Sequence, residues 1–186
     1  MPHLHAEVEG YATALMSLGT ASLTQGRLLD LIASQRWQLQ PPEAWNEGVV
    51  RAVLPGFALL LAAFPPAVED PEIALCVKAL HEEGLTTQEQ YDQVWRELAD
   101  RTEAALGPCS EAGDYLAKLY LPFDPPVENA VLSYRLWRTP HALLYAIQHH
   151  EGDSHVASCA TVDLRVISWR EGTPQPGIPL LTDLIQ

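Results

Sequence analysis

Lysine is almost missing from this chain of 186 residues. Lys78 and Lys118 stand beside scattered arginines and 24 acidic residues, for a net charge of −13. A surface that neutralises nucleic-acid phosphates needs clustered cations. Only Arg135 with Arg138, and Arg96 with Arg101, come close in sequence, so direct nucleic-acid binding is not expected. Cysteine is scarce as well. Cys76, Cys109 and Cys159 are odd in number, far apart and without a C-x-x-C pair, which argues against a disulfide framework or a zinc site and fits reduced cytoplasmic thiols. Met1 to Glu7 has no basic stretch followed by an apolar run, so no secretory leader is read there. The longest apolar stretch, Val49 to Phe64, is broken by Arg51, Pro55 and Gly56. It falls short of the roughly 20 residues a bilayer-spanning helix needs, so no membrane association is expected. Catalytic fingerprints are missing too: no Gly-x-Ser-x-Gly, no Walker A, no Gly-x-Gly-x-x-Gly and no His-Glu-x-x-His.

What is there is the composition of a globular protein. Hydrophobic residues make up 47% of the chain, and mean hydropathy is close to zero. The length suits one domain, or one domain with an appendage, and a chain of this size buries roughly 70% of its unfolded surface. The bias to Ala, Leu and Pro is that of a GC-rich bacterial genome.

Start and stop signals divide most of the chain into helices. Val8, Ala12, Leu15 and Met16 recur at helical spacing from about His3 to Leu18, and Gly19 ends the run. A second helix covers Ser22 to Arg36, with Leu28, Leu31 and Ile32 on one side. Glu43 to Phe64, apolar almost all round, reads as a central helix that Pro55-Gly56 kinks or splits. Asp70-Pro71 is a cap followed by a first-turn proline and opens a helix to Glu83. Thr87-x-x-Gln90 has the form of a capping box, opening a long amphipathic helix that runs to Leu106 and stops at Gly107-Pro108. Further helices are expected over Ser110 to Leu121, Val127 to Trp137 and His141 to His150. Only Val162 to Trp169, with loose alternation and β-branched residues, reads as a strand. Its expected partner is either Ile178 to Ile185, as a hairpin, or another chain. The fold class expected is therefore mainly α: a multi-helical bundle of about eight helices with a short C-terminal β-strand or hairpin. Residues 1–161 form the helical domain, and residues 162–186 a strand and Pro-rich tail packed on it.

The densest chemistry lies at His149-His150-Glu151-Gly152-Asp153-Ser154-His155. One reading is punctuation. Gly152 supplies the left-handed residue that ends a helix, Asp153 caps the next, and His149 and His150 suit a helix C-terminus. A second reading is a pocket. On a helix His141, Tyr145 and His149 fall at i, i+4 and i+8, with Arg138 three residues earlier, and such a stripe can line a site for a small aromatic or acidic ligand. Histidine titrating near neutral pH can also serve as general acid or base. Metal binding is the third, and adjacent His149 and His150 diverge by about 100° on a helix, which makes a shared ion difficult. No metal site and no cofactor are expected.

The segment Leu121-Pro122, Asp124-Pro125 and onward to His150-Glu151-Gly152-Asp153-Ser154-His155-Val156-Ala157 resembles the end of the helical region in a family of actinobacterial helix-turn-helix (MarR-like) regulators. A weaker echo covers Val49-Val50-Arg51-Ala52 through Phe57 and Ala63-Phe64-Pro65. The resemblance implies a helical regulatory module. It departs at Glu151, where the family has arginine, and it does not extend to the family's winged-helix C-terminal part, the part that would touch DNA.

The function expected is thus a non-catalytic cytoplasmic module that regulates or senses a small ligand, acting as a homodimer or with a protein partner. Its site residues are Arg138, His141, Tyr145, His149, His150, Asp153 and His155, around a pocket between the Val49–Phe64 region and the Val127–His150 helix pair. Two alternatives stand beside it. One is an enzyme of bacterial specialised metabolism, with His150 or His155 as base and Asp153 orienting an imidazole. The other is an interaction module that docks through its C-terminal strand.

Overall fold

A computed structural model describes residues 8–41, 49–54, 57–64, 73–81, 87–117, 130–150 and 160–170. Among the described residues three α-helices, α1 (Val8–Ser17), α2 (Gln25–Ser34) and α3 (Gln88–Leu106), with one short 3-10 turn (Leu18–Thr20), accompany eight strands. These are β1 (Gln38–Leu39), β2 (Val49–Leu54), β3 (Phe57–Ala63), β4 (Ile73–His81), β5 (Glu111–Ala117), β6 (Ala130–Arg138), β7 (Ala142–His150) and β8 (Ala160–Trp169). Two antiparallel runs, β1–β4 and β5–β8, join where β4 pairs with β8, giving the order β1-β2-β3-β4-β8-β7-β6-β5.

The expected eight-helix bundle is therefore wrong. The chain is a mixed α and β protein built on an antiparallel sheet. Helices expected within 43–64, 70–83, 110–121, 127–137 and 141–150 are β2 with β3, β4, β5, β6 and β7. The physical reason lies in the covering of the sheet. Leu143 to Ile147 are all at most 4% exposed, so β7 is closed on both faces. A strand closed on both faces carries a continuous apolar run without period-2 alternation. Leu and Ala fill those runs, and both favour helices in isolation.

The helices lie on one face of the sheet. Tyr91, Val94 and Leu98 of α3 pack with Ala146 and Leu144 of β7 and with Leu164 and Val166 of β8. Val8, Ala12 and Leu15 of α1 close over α3, and Tyr11 meets Trp37 edge-on at 5.9 Å. Polar contacts hold α3 at two places. Near its start, Asp92 accepts hydrogen bonds from Gln88 Nε2 (2.8 Å) and from the buried Gln148 Nε2 of β7 (3.0 Å). Near its end, Arg135 of β6 pairs with Glu103 and, at 3.3 Å, with Asp100. The capping box forms as expected: the Gln90 N–H donates to Thr87 Oγ1 and the Thr87 N–H to Gln90 Oε1. Gly107 ends the helix at φ 84°, and its carbonyl accepts from Trp137 Nε1 at 2.9 Å.

The strand read at Val162–Trp169 is also present, as β8. Its partners are β4 and β7, so both of its edges are paired and neither is free to take a docking strand. Residues 178–185 lie outside the described residues. Among the described residues no helix is long and apolar enough to cross a membrane.

Candidate functional site on the helix-free face

Directly paired residues of an antiparallel sheet share a face, so the register sorts the strands. Ala142, Leu144, Ala146, Gln148 and His150 share parity with the residues packed under α3. Leu143, Tyr145, Ile147 and His149 belong to the opposite face, helix-free as far as the described residues go. That face has its own buried set, with Tyr134, Leu136, Leu143, Tyr145, Ile147 and Ile167 between 0% and 4% exposed.

This placement explains how part of the expected stripe survives the loss of its helix. His141, Tyr145 and His149 are four residues apart, a spacing that keeps one face in a strand because it is even and on a helix because it is about one turn. Tyr145 and His149 share the helix-free face of β7, and Arg138, opposite Leu143, joins that face from β6. His141 sits in the turn before β7, exposed, with its backbone N–H donating to the Gly19 carbonyl at 3.2 Å. His150 has the other parity, opposite Val131 and Ala160, and so does not share the face of Tyr145 and His149. Asp153 and His155, with Glu151 and Gly152, lie outside the described residues. The Val49–Phe64 region and the Val127–His150 pair, between which a pocket was expected, are not neighbours in the sheet, because β4 and β8 lie between β3 and β7.

The register assembles something the sequence reading missed. A single cross-strand row on the helix-free face runs Arg51–Leu61–Lys78–Arg165–Tyr145–Leu136–Glu111, one residue from each of β2, β3, β4, β8, β7, β6 and β5. The neighbouring row runs Leu59–Leu80–Asp163–Ile147–Tyr134–Gly113, and beyond it His149 pairs with Thr161. Ionisable residues of β4, β8 and β7, in the middle of the sheet, are thus gathered on the face the helices leave alone. The available signal was the isolated cation inside each apolar run: Arg51 in Val49–Leu54, Lys78 in Ile73–His81 and Arg165 in Val162–Ser168.

At the β5 edge the row is structurally satisfied. The Tyr134 hydroxyl donates to Glu111 Oε1 at 2.6 Å, and its ring lies against Gly113, where an added Cβ would come within 3.1 Å of it. An aromatic residue covering a glycine in an edge strand is a known stabilising arrangement. At the β2 end the row is not satisfied, since Arg51 Nε is closed to solvent and has no hydrogen-bond partner.

Among the described residues there is a shallow groove of about 550 Å³ lined by Glu9, Gly10, Thr13, Leu31, Gln35 and Ala105 among others. Its ionisable group, Glu9, is engaged: Arg101 Nε and Nη2 donate to its two carboxylate oxygens at 2.7 and 2.6 Å. That hydrogen-bonded guanidinium holds the Glu9 carboxyl below the usual carboxylate range. The groove therefore offers space but little chemistry.

Among the described residues no cluster of His, Cys, Asp or Glu has the arrangement of a metal site, and Cys109 carries a free thiol. No protein family, curated protein or solved structure matches the chain.

Proposed function

We propose that this chain is a non-catalytic, cytoplasmic ligand-sensing module whose site lies on the helix-free face of the sheet, around Tyr145 and His149 of β7 with Asp163 and Arg165 of β8. One observation carries the reading: ionisable residues of the central strands share the face on which none of the described helices packs. Charged residues in the interior of a sheet cost stability unless they are paired or used. Tyr145, 4% exposed, supplies the apolar body with a polar tip that ligand pockets favour. A small aromatic or acidic molecule is the ligand class this reading expects.

Thermal unfolding with benzoate and with neutral benzyl alcohol tests the reading. At least one probe is expected to raise the midpoint of the wild-type chain and to lose that effect in His149→Ala and Tyr145→Phe. A rise that survives both substitutions, or no rise with either probe, contradicts the placement.

A further inference from the structure

We infer that this chain is a dimer fused into one polypeptide, two copies of a helix-plus-four-strand unit joined where β4 pairs with β8. The partner that this seam fits is therefore a further copy of the unit, from the same chain or from a second one. The inference stands apart from the ligand reading. The sheet order β1-β2-β3-β4-β8-β7-β6-β5 reads the same from either edge when β1 to β4 are matched in turn with β5 to β8. Each run is an antiparallel meander that follows on a helix, α2 before β1 and α3 before β5. Both helices lie over one core, Leu28 and Ile32 of α2 with Tyr91, Val94 and Leu98 of α3. Their starts are placed alike. α3 begins beside the end of β4, since Asp92 accepts from Gln148, Gln148 pairs with Val162, and Val162 with His81. α2 begins beside the end of β8. Arg27 in its first turn donates to the Leu18 carbonyl at 3.3 Å, the next carbonyl, of Gly19, accepts the His141 N–H, and Ala142 pairs with Ser168. Among the described residues α1, packed on α3, has no counterpart.

The register repeats in the sequence. A two-fold axis normal to the sheet, set between the paired positions Lys78 and Arg165, lays Ile73–His81 on residues 160–168, almost the whole of β8. Every further match is then fixed. Leu61 pairs with Lys78 and Tyr145 with Arg165, so Leu59-Leu60-Leu61-Ala62-Ala63 falls on Leu143-Leu144-Tyr145-Ala146-Ile147, with the same residue at Leu59, Leu60 and Ala62. Val77-Lys78-Ala79-Leu80 falls on Leu164-Arg165-Val166-Ile167, in both cases apolar, cation, apolar, apolar. Burial matches as well: Leu60 and Leu144, Ala62 and Ala146, Val77 and Leu164, Ala79 and Val166 are all at most 1% exposed. A patch that meets its own copy about a two-fold axis is the interface of a closed dimer.

The whole chain provides the test. Residues 82–86 link β4 to Thr87, the cap of α3, and so short a link holds the two units at an effective concentration on the order of millimolar. Chains folded at about 1 µM are then expected to be monomers, while chains brought out of denaturant at about 1 mM should trade units across the seam and form dimers. Two chains are folded together at both concentrations and oxidised, one with Val77→Cys and the other with Val166→Cys, each with Cys76, Cys109 and Cys159 replaced by alanine. Positions 77 and 166 pair across the seam and are buried. A covalent heterodimer therefore forms only when β4 of one chain has paired with β8 of the other. Roughly a tenth or more of the chains should carry that bond at the higher concentration, and almost none at the lower. No heterodimer at either concentration, or a dimer that never carries the bond, overturns the inference. If the cysteine variants do not fold, wild-type chains with and without an affinity tag are folded together instead. A mixed dimer that appears only at the higher concentration and unfolds like the monomer upholds the inference, and tagged chains that purify alone overturn it.

Discussion

Gly19 shows how closely the N-terminal segment seats on the sheet. A Cβ built there would run into Thr139, coming within 2.8 Å of its Cβ, while the Gly19 carbonyl accepts the His141 N–H. Gly19→Ala should therefore cost about 1–3 kcal/mol by overpacking, read as a lowered unfolding midpoint. Gly26→Ala, where only Thr24 Oγ1 at 3.8 Å is near, serves as the tolerated control. The Glu9–Arg101 pair gives a prediction with a pH sign. Glu9's carboxyl is lowered from 4.5 in the fold, chiefly by the hydrogen bond from Arg101. Its contribution is thus fully present above the unfolded value and is lost as pH falls through the lower folded one. Both side chains are partly exposed, at 43% and 22%, so Arg101→Met should cost no more than about 1 kcal/mol at neutral pH. Denaturant titrations of the two proteins should converge below pH 4.5, and a gap that widens there would contradict the assignment.

At the scale of elements, α3 was legible because its signals are local. Thr87-x-x-Gln90 at the start, Gly107 at the end and an amphipathic run between them specify a helix without reference to the rest of the fold. Thr87→Ala should remove one half of the capping box and cost about 1 kcal/mol, a fall of about 2–4 °C in the unfolding midpoint for a chain of this size. A fall of similar size at Thr13, whose hydroxyl bonds only within α1, would show that loss of a hydroxyl, not loss of a cap, is being measured. The strands were not legible because their signals are tertiary. Val49–Ala63 reads as one interrupted apolar helix until the sheet covers it, and Pro55-Gly56 between two apolar runs is equally a turn marker. The Tyr145–His149 alignment survived because a spacing of four satisfies both periodicities. The cation row did not appear, since it joins residues more than a hundred positions apart through register alone.

For the whole molecule, the sheet order makes the last described strand the central one. β8 joins the β1–β4 run to the β5–β7 run, so a chain ending at residue 159 should lack a cooperative unfolding transition in calorimetry, and one that melts cooperatively would contradict this topology. The same order puts Tyr145 in one register row with Lys78 and Arg165, with His149 four residues along β7 on the same face, and the proposed site is centred on β7 there. It is tested most directly by the difference electron density of crystals grown with benzoate. Density for the ring and carboxylate is expected on the helix-free face, beside Tyr145 and between β4 and β7. Density confined to the groove lined by Glu9, Thr13 and Gln35, or none at either place, would contradict it.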